Sequence, residues 1–236
     1  MSKLYPPALN GKLPAFYVKP GEDAVIKVPF TMNTVVSDAE VKGFSLIIKS
    51  VTNNRLLGTY TNLIGNDKQF EYTGSLDFII NKLTWWKKDN NGVYTSQVPY
   101  RVGSFYKVQI AYIDINGVTG HYSNAAVIKL TDKPTVYLEQ SKEDAIIVNT
   151  GTYVGVYEYP AADPLEKIYS YRFDIIDSSG NVYLTSGDLL HNTAEDTNPK
   201  QVRDVYTFHE SLPQSGIFKV KYTATTINGL QEPGDS

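Results

Sequence analysis

An internal repeat constrains the fold of this chain more than any other feature of its sequence. Residues 105–118 (FYKVQIAYIDINGV) align without a gap with residues 217–230 (IFKVKYTATTINGL). In both copies apolar or aromatic residues alternate with other residues, which is the period of a β-strand with one buried face. Each copy then runs into Ile-Asn-Gly, and Asn-Gly favours a hairpin because both residues tolerate positive φ. The repeat therefore predicts two β-domains of similar construction.

A second, weaker pair of segments extends the repeat. Residues 44–48 alternate before a polar turn, as do residues 171–175 further along the chain. This pair is more widely separated than the first, which predicts roughly fifteen extra residues in the first copy, around the turn at 89–92. β-branched and aromatic residues fall in short runs between Gly, Asn, Asp and Pro, so we predict an all-β fold. For residues 75–83 the spacing allows either a short helix or a strand.

The repeated segments resemble the sixth and seventh strands of the fibronectin type III family. Tyr106 is followed by alternating apolar residues, then by Asn-Gly, and then by Ser123 in a return strand. In the second copy Leu212 stands before Phe218 at the family's spacing, but phenylalanine replaces the tyrosine whose hydroxyl makes the corner hydrogen bond. The resemblance implies two tandem immunoglobulin-like, fibronectin type III-like β-sandwiches.

The predicted organisation has three parts. Residues 1–14 form an extended N-terminal arm, residues 15–131 a first β-sandwich with an insertion near 75–98, and residues 134–236 a second sandwich. After Asn228-Gly229 the second copy continues as Gln-Glu-Pro-Gly-Asp-Ser, so its last strand is predicted to be missing or to lie beyond residue 236. Because proteins normally cover an unpaired strand edge, a longer polypeptide or another subunit is expected to supply that strand.

Composition argues against several classes of function. The net charge is −3 and basic residues are scattered, which argues against nucleic acid as the ligand. Neither a signal peptide nor an apolar run of membrane-spanning length occurs, so we predict no membrane association. The chain has no cysteine, which removes disulfides and thiolate chemistry.

Nor do we find a motif that predicts catalysis. His121, His191 and His209 show no metal-ligand spacing, and there is no nucleophile elbow or phosphate-binding loop. The carboxylate pairs at 143–144 and 195–196 are interpreted as solvated surface charges. The segment 89–92 (Asp-Asn-Asn-Gly) is interpreted as a hairpin turn, because position 100 is tyrosine where a calcium loop needs glutamate. We therefore predict no catalytic residue, cofactor or metal.

Five apolar residues are the predicted partner contacts. Trp85 and Trp86 are adjacent, so in a strand their side chains point to opposite faces and one indole reaches the surface or a partner; the alternative places one in the core and the other over an edge. Leu4, Tyr5 and Leu13 are anchors that a proline-rich arm could lay on a neighbouring subunit. The alternative for this segment is a disordered tail.

The segments around residues 14–18, 28–33 and 106–114 are also similar to structural proteins of tailed bacteriophages that carry such domains. This resemblance implies a non-catalytic virion component of a tail, baseplate, fibre or capsid-associated layer. Its partners would be other virion or scaffold subunits, in a homo- or hetero-oligomeric assembly. The alternatives are a glycan- or protein-binding module on a bacterial cell surface, with Trp85 and Trp86 as a stacking platform, or an accessory region of a larger enzyme.

Overall fold

Short runs of alternating residues form strands throughout the described part of the chain. The computed structural model describes residues 5–31, 41–63, 73–82, 86–96, 100–139, 151–196, 198, 200–210, 212 and 217–234. The chain separates into unit 1 (Met1–Asp132) and unit 2 (Lys133–Ser236). Strands dominate both units, which confirms the all-β class.

Unit 1 is built from two sheets and a separate hairpin. Its described strands are β1 (Ala8–Leu9), β2 (Phe16–Tyr17), β3 (Ala24–Thr31), β4 (Val41–Ser50), β5 (Leu56–Leu63), β6 (Thr73–Ile80), β7 (Trp86–Lys88), β8 (Tyr94–Ser96), β9 (Phe105–Asp114) and β10 (Ala126–Thr131). One sheet has the order β1-β3-β6 and the other β2-β10-β9-β4-β5, while β7 pairs only with β8.

One apolar core lies between the two larger sheets of unit 1. Ile26 and Phe30 of β3 enter it from one sheet, and Phe44 of β4 enters it from the other. The rings of Phe30 and Phe44 meet with their centroids 5.2 Å apart. Full burial of such a side chain stabilises the fold by about 1.5–3 kcal/mol. Packing of the two sheets, rather than any covalent link, therefore gives the unit its sandwich-like character.

The segment 73–80 is a strand and not a helix. β6 pairs antiparallel with β3 along its whole length, from Ala24 opposite Ile80 to Thr31 opposite Thr73. Phe78 and Ile80 are fully buried, so the two-residue period of the sheet decides between the two predicted alternatives. Residues 75–80 of the segment predicted as an insertion therefore belong to β6, and the described residues that follow include the β7-β8 hairpin.

Residues 8–14 belong to unit 1 rather than to a separate arm. β1 pairs antiparallel with β3, and β2 pairs parallel with β10. Leu9 and Leu13 are buried in the unit 1 core. The boundary predicted between residues 14 and 15 is therefore wrong, because apolar residues on both sides of it pack into one core.

Unit 2 repeats the arrangement with fewer long strands. Its described strands are β11 (Thr135–Leu138), β12 (Gly151–Glu158), β13 (Ile168–Asp177), β14 (Val182–Thr185), β15 (Leu189–Leu190), β16 (Gln201–Phe208), β17 (Phe218–Thr226) and β18 (Gln231–Gly234). One sheet has the order β11-β12-β16; the other has the order β14-β13-β17-β18, with β15 also pairing with β13. A second apolar cluster, separate from that of unit 1, forms its core.

The prediction that unit 2 lacks its last strand is corrected by β18. This strand pairs antiparallel with β17, from Thr225 opposite Gln231 to Tyr222 opposite Gly234. The Asn228-Gly229 hairpin therefore does return along β17, as its turn residues predict. The return covers only one half of β17: among the described residues, none pairs on this side with residues 218–221.

The hydroxyl of Tyr106 makes a corner hydrogen bond in unit 1. It accepts from the backbone N–H of Arg101 at 2.6 Å and donates to the carbonyl of the same residue at 3.3 Å. The equivalent residue of unit 2 is Phe218, which has no hydroxyl. Phenylalanine therefore cannot make the hydrogen bond that, in unit 1, holds the backbone of Arg101 next to the start of β9.

Candidate interaction surfaces

The predicted N-terminal contacts separate into one exposed and one buried residue. Leu13 is 1% exposed, and its N–H donates to the carbonyl of Val127 at 2.8 Å. It therefore serves the core of its own unit and is not available to a neighbouring subunit. Tyr5 is 62% exposed and remains a candidate contact. Leu4 lies outside the described residues.

Of the predicted tryptophan pair, Trp86 is described and Trp85 lies outside the described residues. Trp86 is half-buried and packs against the unit 1 core. Its indole nitrogen is buried and has no hydrogen-bond partner among the described residues. Because Trp86 packs against the core of its own unit, its environment favours the core alternative for this residue.

The hairpin that carries Trp86 is anchored to the rest of unit 1 by Tyr94. The ring of Tyr94 lies so close to Gly21 that a Cβ added there would be 2.9 Å from it, and Gly21 has φ +80°. Glycine therefore both permits this backbone conformation and makes room for the ring. The Nζ atom of Lys88 lies 5.1 Å from the centroid of the Tyr94 ring on the opposite strand. Tyr94 thus contacts both Gly21 outside the hairpin and Lys88 within it.

The turn at 89–92 is the predicted hairpin turn. One carboxylate oxygen of Asp89 accepts hydrogen bonds from the backbone N–H groups of Asn91 and Val93, both at 2.9 Å. Gly92 adopts φ +79°. Asp114 and Asp177 cap their own hairpin turns in the same way. These carboxylates therefore act as turn-forming acceptors.

A polar network inside unit 2 is the feature that sequence analysis missed. His191 lies between two carboxylates: its Nδ1 atom is 2.8 Å from Asp204 and its Nε2 atom is 2.7 Å from Asp196. The hydroxyl of Tyr222 donates to the other oxygen of Asp204 at 2.6 Å. The His191 side chain is 3% exposed. Asp196 was interpreted as a solvated surface charge, which is wrong, because it is a hydrogen-bond partner of this imidazole.

Charge-assisted hydrogen bonds set the protonation of this network. The bond to Asp204 raises the pKa of His191 above its ordinary value, burial opposes this, and the bond to Asp196 adds to the rise. Burial and the nearby Asp204 carboxylate raise the pKa of Tyr222. A protonated imidazole donates to both carboxylates at once. The network therefore connects β16 of one sheet to β17 of the other and to the turn at 193–195.

A signal for this network was present in the sequence of β16. The inward-facing positions of β16 are 202, 204, 206 and 208, and Asp204 is the charged residue among them. A charged side chain on a buried face needs a hydrogen-bonded partner. That rule predicts a buried partner for Asp204, although the sequence does not indicate that the partner is His191.

Exposed apolar side chains lie at the start of β17 and on β14, which β13 separates from β17. Ile217 is 69% exposed, and Val182 and Tyr183 of β14 are 57% and 47% exposed. Phe218 is half-buried, and its ring centroid lies 5.4 Å from that of Tyr183. The equivalent residue of unit 1, Tyr106, is only 4% exposed.

The described ranges give no cluster of three or more His, Cys, Asp or Glu side chains suited to a metal ion. They also give no helix with the length and apolar character needed to cross a membrane.

No family model and no curated protein matches this sequence.

Proposed function

We propose that the two units are tandem fibronectin type III-like β-sandwich domains of a non-catalytic assembly protein, and that this protein is a structural component of a tailed-bacteriophage virion. The domains would serve as spacers and docking surfaces in a tail, baseplate, fibre or capsid-associated layer. The partners would be other virion or scaffold subunits.

The observation that carries this proposal is the common strand scheme of the two units. Each has a sheet made of its opening strand and two eight-residue strands, β1-β3-β6 and β11-β12-β16. The second sheets share a four-strand order, β5-β4-β9-β10 and β14-β13-β17-β18; in unit 1 β2 also pairs parallel with β10, and in unit 2 β15 also pairs with β13. Two antiparallel sheets with crossed connections are what immunoglobulin-like sandwiches require. Tandem copies of one sandwich are suited to spacing and docking, because each buries its own core.

The arrangement of polar groups is also in keeping with a scaffold. The buried His191 network places both ring nitrogens against carboxylates inside unit 2. The carboxylates of Asp89, Asp114 and Asp177 are engaged by their own turns. In each case the described chemistry supports the fold. Because sandwich folds host many functions, the location in a virion rests on the resemblance of the sequence.

The test is the protein content of purified particles. Virions from a culture that encodes this sequence are purified by density gradient, and their proteins are quantified by mass spectrometry against a labelled standard of this chain. A structural component is present in a fixed number of copies per particle that survives repeated purification. Absence from the particles, with recovery in the cell-surface fraction, would contradict the proposal and favour the surface-binding alternative.

A further inference from the structure

We propose that His191 is a proton-operated anchor: its protonated imidazole holds the segment 189–196 on unit 2, and loss of one proton releases that segment while the rest of the unit stays folded. The segment contains β15 and the turn at 193–195, and it is called the anchored segment below. The inference goes beyond the proposed assembly role and does not depend on it.

The described side chains of the anchored segment make little apolar contact with unit 2. Leu190 is 69% exposed, Leu189 is half-buried, and residues 192–194 are exposed. Among the described residues of the segment, none belongs to the apolar core of the unit. The His191 side chain, by contrast, is only 3% exposed. The imidazole is therefore the part of the segment that reaches into the unit.

The backbone attachments of the segment are short. β15 pairs with β13 at two positions, where Leu190 lies opposite Ser170 and Leu189 opposite Tyr171. The N–H of His191 then donates to the carbonyl of Tyr169 at 3.0 Å. Segments with few buried apolar contacts open locally at a lower free energy than the core. Attachment of this segment consequently depends on the side chain of His191.

The two carboxylates that face the ring require a protonated imidazole. Nδ1 lies 2.8 Å from Asp204, and Nε2 lies 2.7 Å from Asp196. A neutral imidazole has one N–H, and its other nitrogen presents a lone pair. In either tautomer that lone pair would face a carboxylate oxygen at hydrogen-bond distance, which is repulsive. The proton is therefore part of the contact.

Asp196 lies on the side that can move. Asp204 is fixed, because β16 pairs with β12 along its whole length and the other oxygen of Asp204 accepts from Tyr222 at 2.6 Å. Asp196 belongs to the anchored segment itself and accepts from the Tyr159 hydroxyl at a longer distance, 3.4 Å. Repulsion from a neutral His191 is thus relieved by movement of the anchored segment away from β16.

The described titratable groups around the ring are Asp204 of β16, Asp196 of the segment, and the tyrosines 222 of β17 and 159 after β12. Burial and the nearby carboxylates raise the pKa of both tyrosines, which remain donors. The pKa of His191 is raised, chiefly by its hydrogen bond to Asp204, so the imidazole is the group that titrates near neutral pH. The segment is held at low pH and released as the pH rises through the folded-state pKa of His191.

Release uncovers part of one strand. β15 covers the backbone of β13 at Ser170 and Tyr171. When the segment leaves, these backbone groups and the carbonyl of Tyr169 become open to hydrogen bonding with solvent or with another strand. The result is a unit that is closed at acidic pH and locally open at alkaline pH.

The experiment measures hydrogen exchange of the His191 amide in the full chain by NMR, from about pH 5 to about pH 9. At each pH the intrinsic exchange rate is divided by the measured rate, so that the protection factor is free of base catalysis. The slowest-exchanging amides of β17 report unfolding of the whole unit.

We expect the His191 amide to be at least about tenfold less protected than the slowest amides of β17, because the segment opens by itself. Its protection factor should be constant below about pH 6.5 and fall by up to about tenfold per pH unit as the pH rises toward the folded-state pKa.

Two variants distinguish the anchor from a purely structural contact. Asp196→Asn supplies an amide that can donate to the neutral ring, so it should reduce the pH-dependent fall by about threefold or more, as one neutral hydrogen bond replaces a repulsion. Asp188→Asn is the matched control, because the Asp188 side chain is 74% exposed, and it should leave the profile unchanged. His191→Gln should give a protection factor that does not vary with pH.

Three results would overturn the inference. The first is a protection factor of the His191 amide that is constant over the whole pH range. The second is protection equal to that of the slowest β17 amides at every pH, which would mean that the segment opens only when the unit unfolds. The third is a fall in Asp196→Asn as steep as in the unchanged protein.

Discussion

The two units place different residues at one position of their repeated strand, which in each unit contributes to a core of its own. In unit 1 Val28 of β3 pairs with Leu76 of β6. In unit 2 Gly155 of β12 pairs with Asp204 of β16. The repeat makes Tyr222 of β17 the equivalent of Ile110 of β9.

These unit 2 substitutions depend on one another. A Cβ at Gly155 would overlap the ring of Tyr222, so glycine makes the space that the tyrosine fills. The tyrosine hydroxyl then reaches Asp204 on the facing sheet. In unit 1 the residue equivalent to Tyr222 is Ile110, which is fully buried and has no hydroxyl. The comparison teaches that the repeated strand accepts either an apolar residue or a tyrosine at this position, and that in unit 2 the tyrosine depends on the space at Gly155 and on the acceptor Asp204.

Removing the Asp204 carboxylate should have the largest effect on the stability of unit 2. Asp204→Ala leaves the buried His191 and the hydroxyl of Tyr222 without this acceptor, and breaking a buried pair costs about 3–5 kcal/mol. Urea denaturation should show that the transition of unit 2 is lost or shifted by this amount while that of unit 1 is unchanged. Asp77→Ala, at an exposed position of β6, is the matched control and should change stability by less than about 0.5 kcal/mol.

The next largest effect should come from filling the space at Gly155. Gly155→Ala forces the Tyr222 ring to move and should destabilise unit 2 by about 1–3 kcal/mol, the usual cost of overpacking. Gly74→Ala is the control, because its Cβ would lie 3.6 Å from the Phe30 ring, an ordinary contact.

A triple variant sharpens the same comparison. Gly155→Val, Asp204→Leu and Tyr222→Ile together make these three contacting positions of unit 2 apolar, with Ile as at Ile110 of unit 1, and their combined cost in stability should be smaller than the sum of the three single costs. Additive costs would show that the three positions do not form a coupled set.

In unit 1 the corner hydrogen bond of Tyr106 should contribute less to stability than Asp204 or Gly155 contributes in unit 2. Tyr106→Phe makes this position like Phe218 of unit 2, and loss of the hydroxyl should cost about 1 kcal/mol in the free energy of unfolding of unit 1. Tyr5→Phe, at a residue that is 62% exposed, should have no measurable effect. An equal shift in both variants would mean that the hydroxyl of Tyr106 is not a stabilising contact.

The smallest expected effect is a dependence on pH that is confined to unit 2. The pKa of His191 is raised in the folded state, chiefly by its hydrogen bond to Asp204, above an ordinary value of about 6.5. Its stabilisation is therefore fully present below about pH 6.5 and is lost as the pH rises through the folded-state pKa. The urea midpoint of unit 2 should fall over that range, and His191→Gln should remove the fall. A midpoint that rises with pH in the same window would contradict this assignment.

Sequence analysis predicted the features that depend on local chemistry. The alternation of 105–114 predicted β9, and Asn116-Gly117 predicted the turn that follows it, with Gly117 at φ +79°. Asp89 was correctly predicted to form a hairpin turn. These features were predictable because strand period and turn conformation depend on residues close together in the chain.

The errors concerned contacts between distant segments. Leu13 was assigned to an arm because prolines surround it, yet its N–H reaches Val127 far along the chain. The return along β17 was judged absent because only a short segment follows Asn228-Gly229, yet residues 231–234 pair with β17. His191 was given no role, because nothing near it in the sequence indicates Asp204 as its partner.

The sequence by itself therefore determined the β class, the repeated strand and hairpin, and the loss of a tyrosine hydroxyl at Phe218. The tertiary structure decided which apolar residues share a core, how far β18 covers β17, and that His191, Asp204 and Tyr222 form one network. The physical reason is that pattern and turn chemistry act over a few residues, whereas burial and buried hydrogen bonds form between residues that only the folded chain brings together.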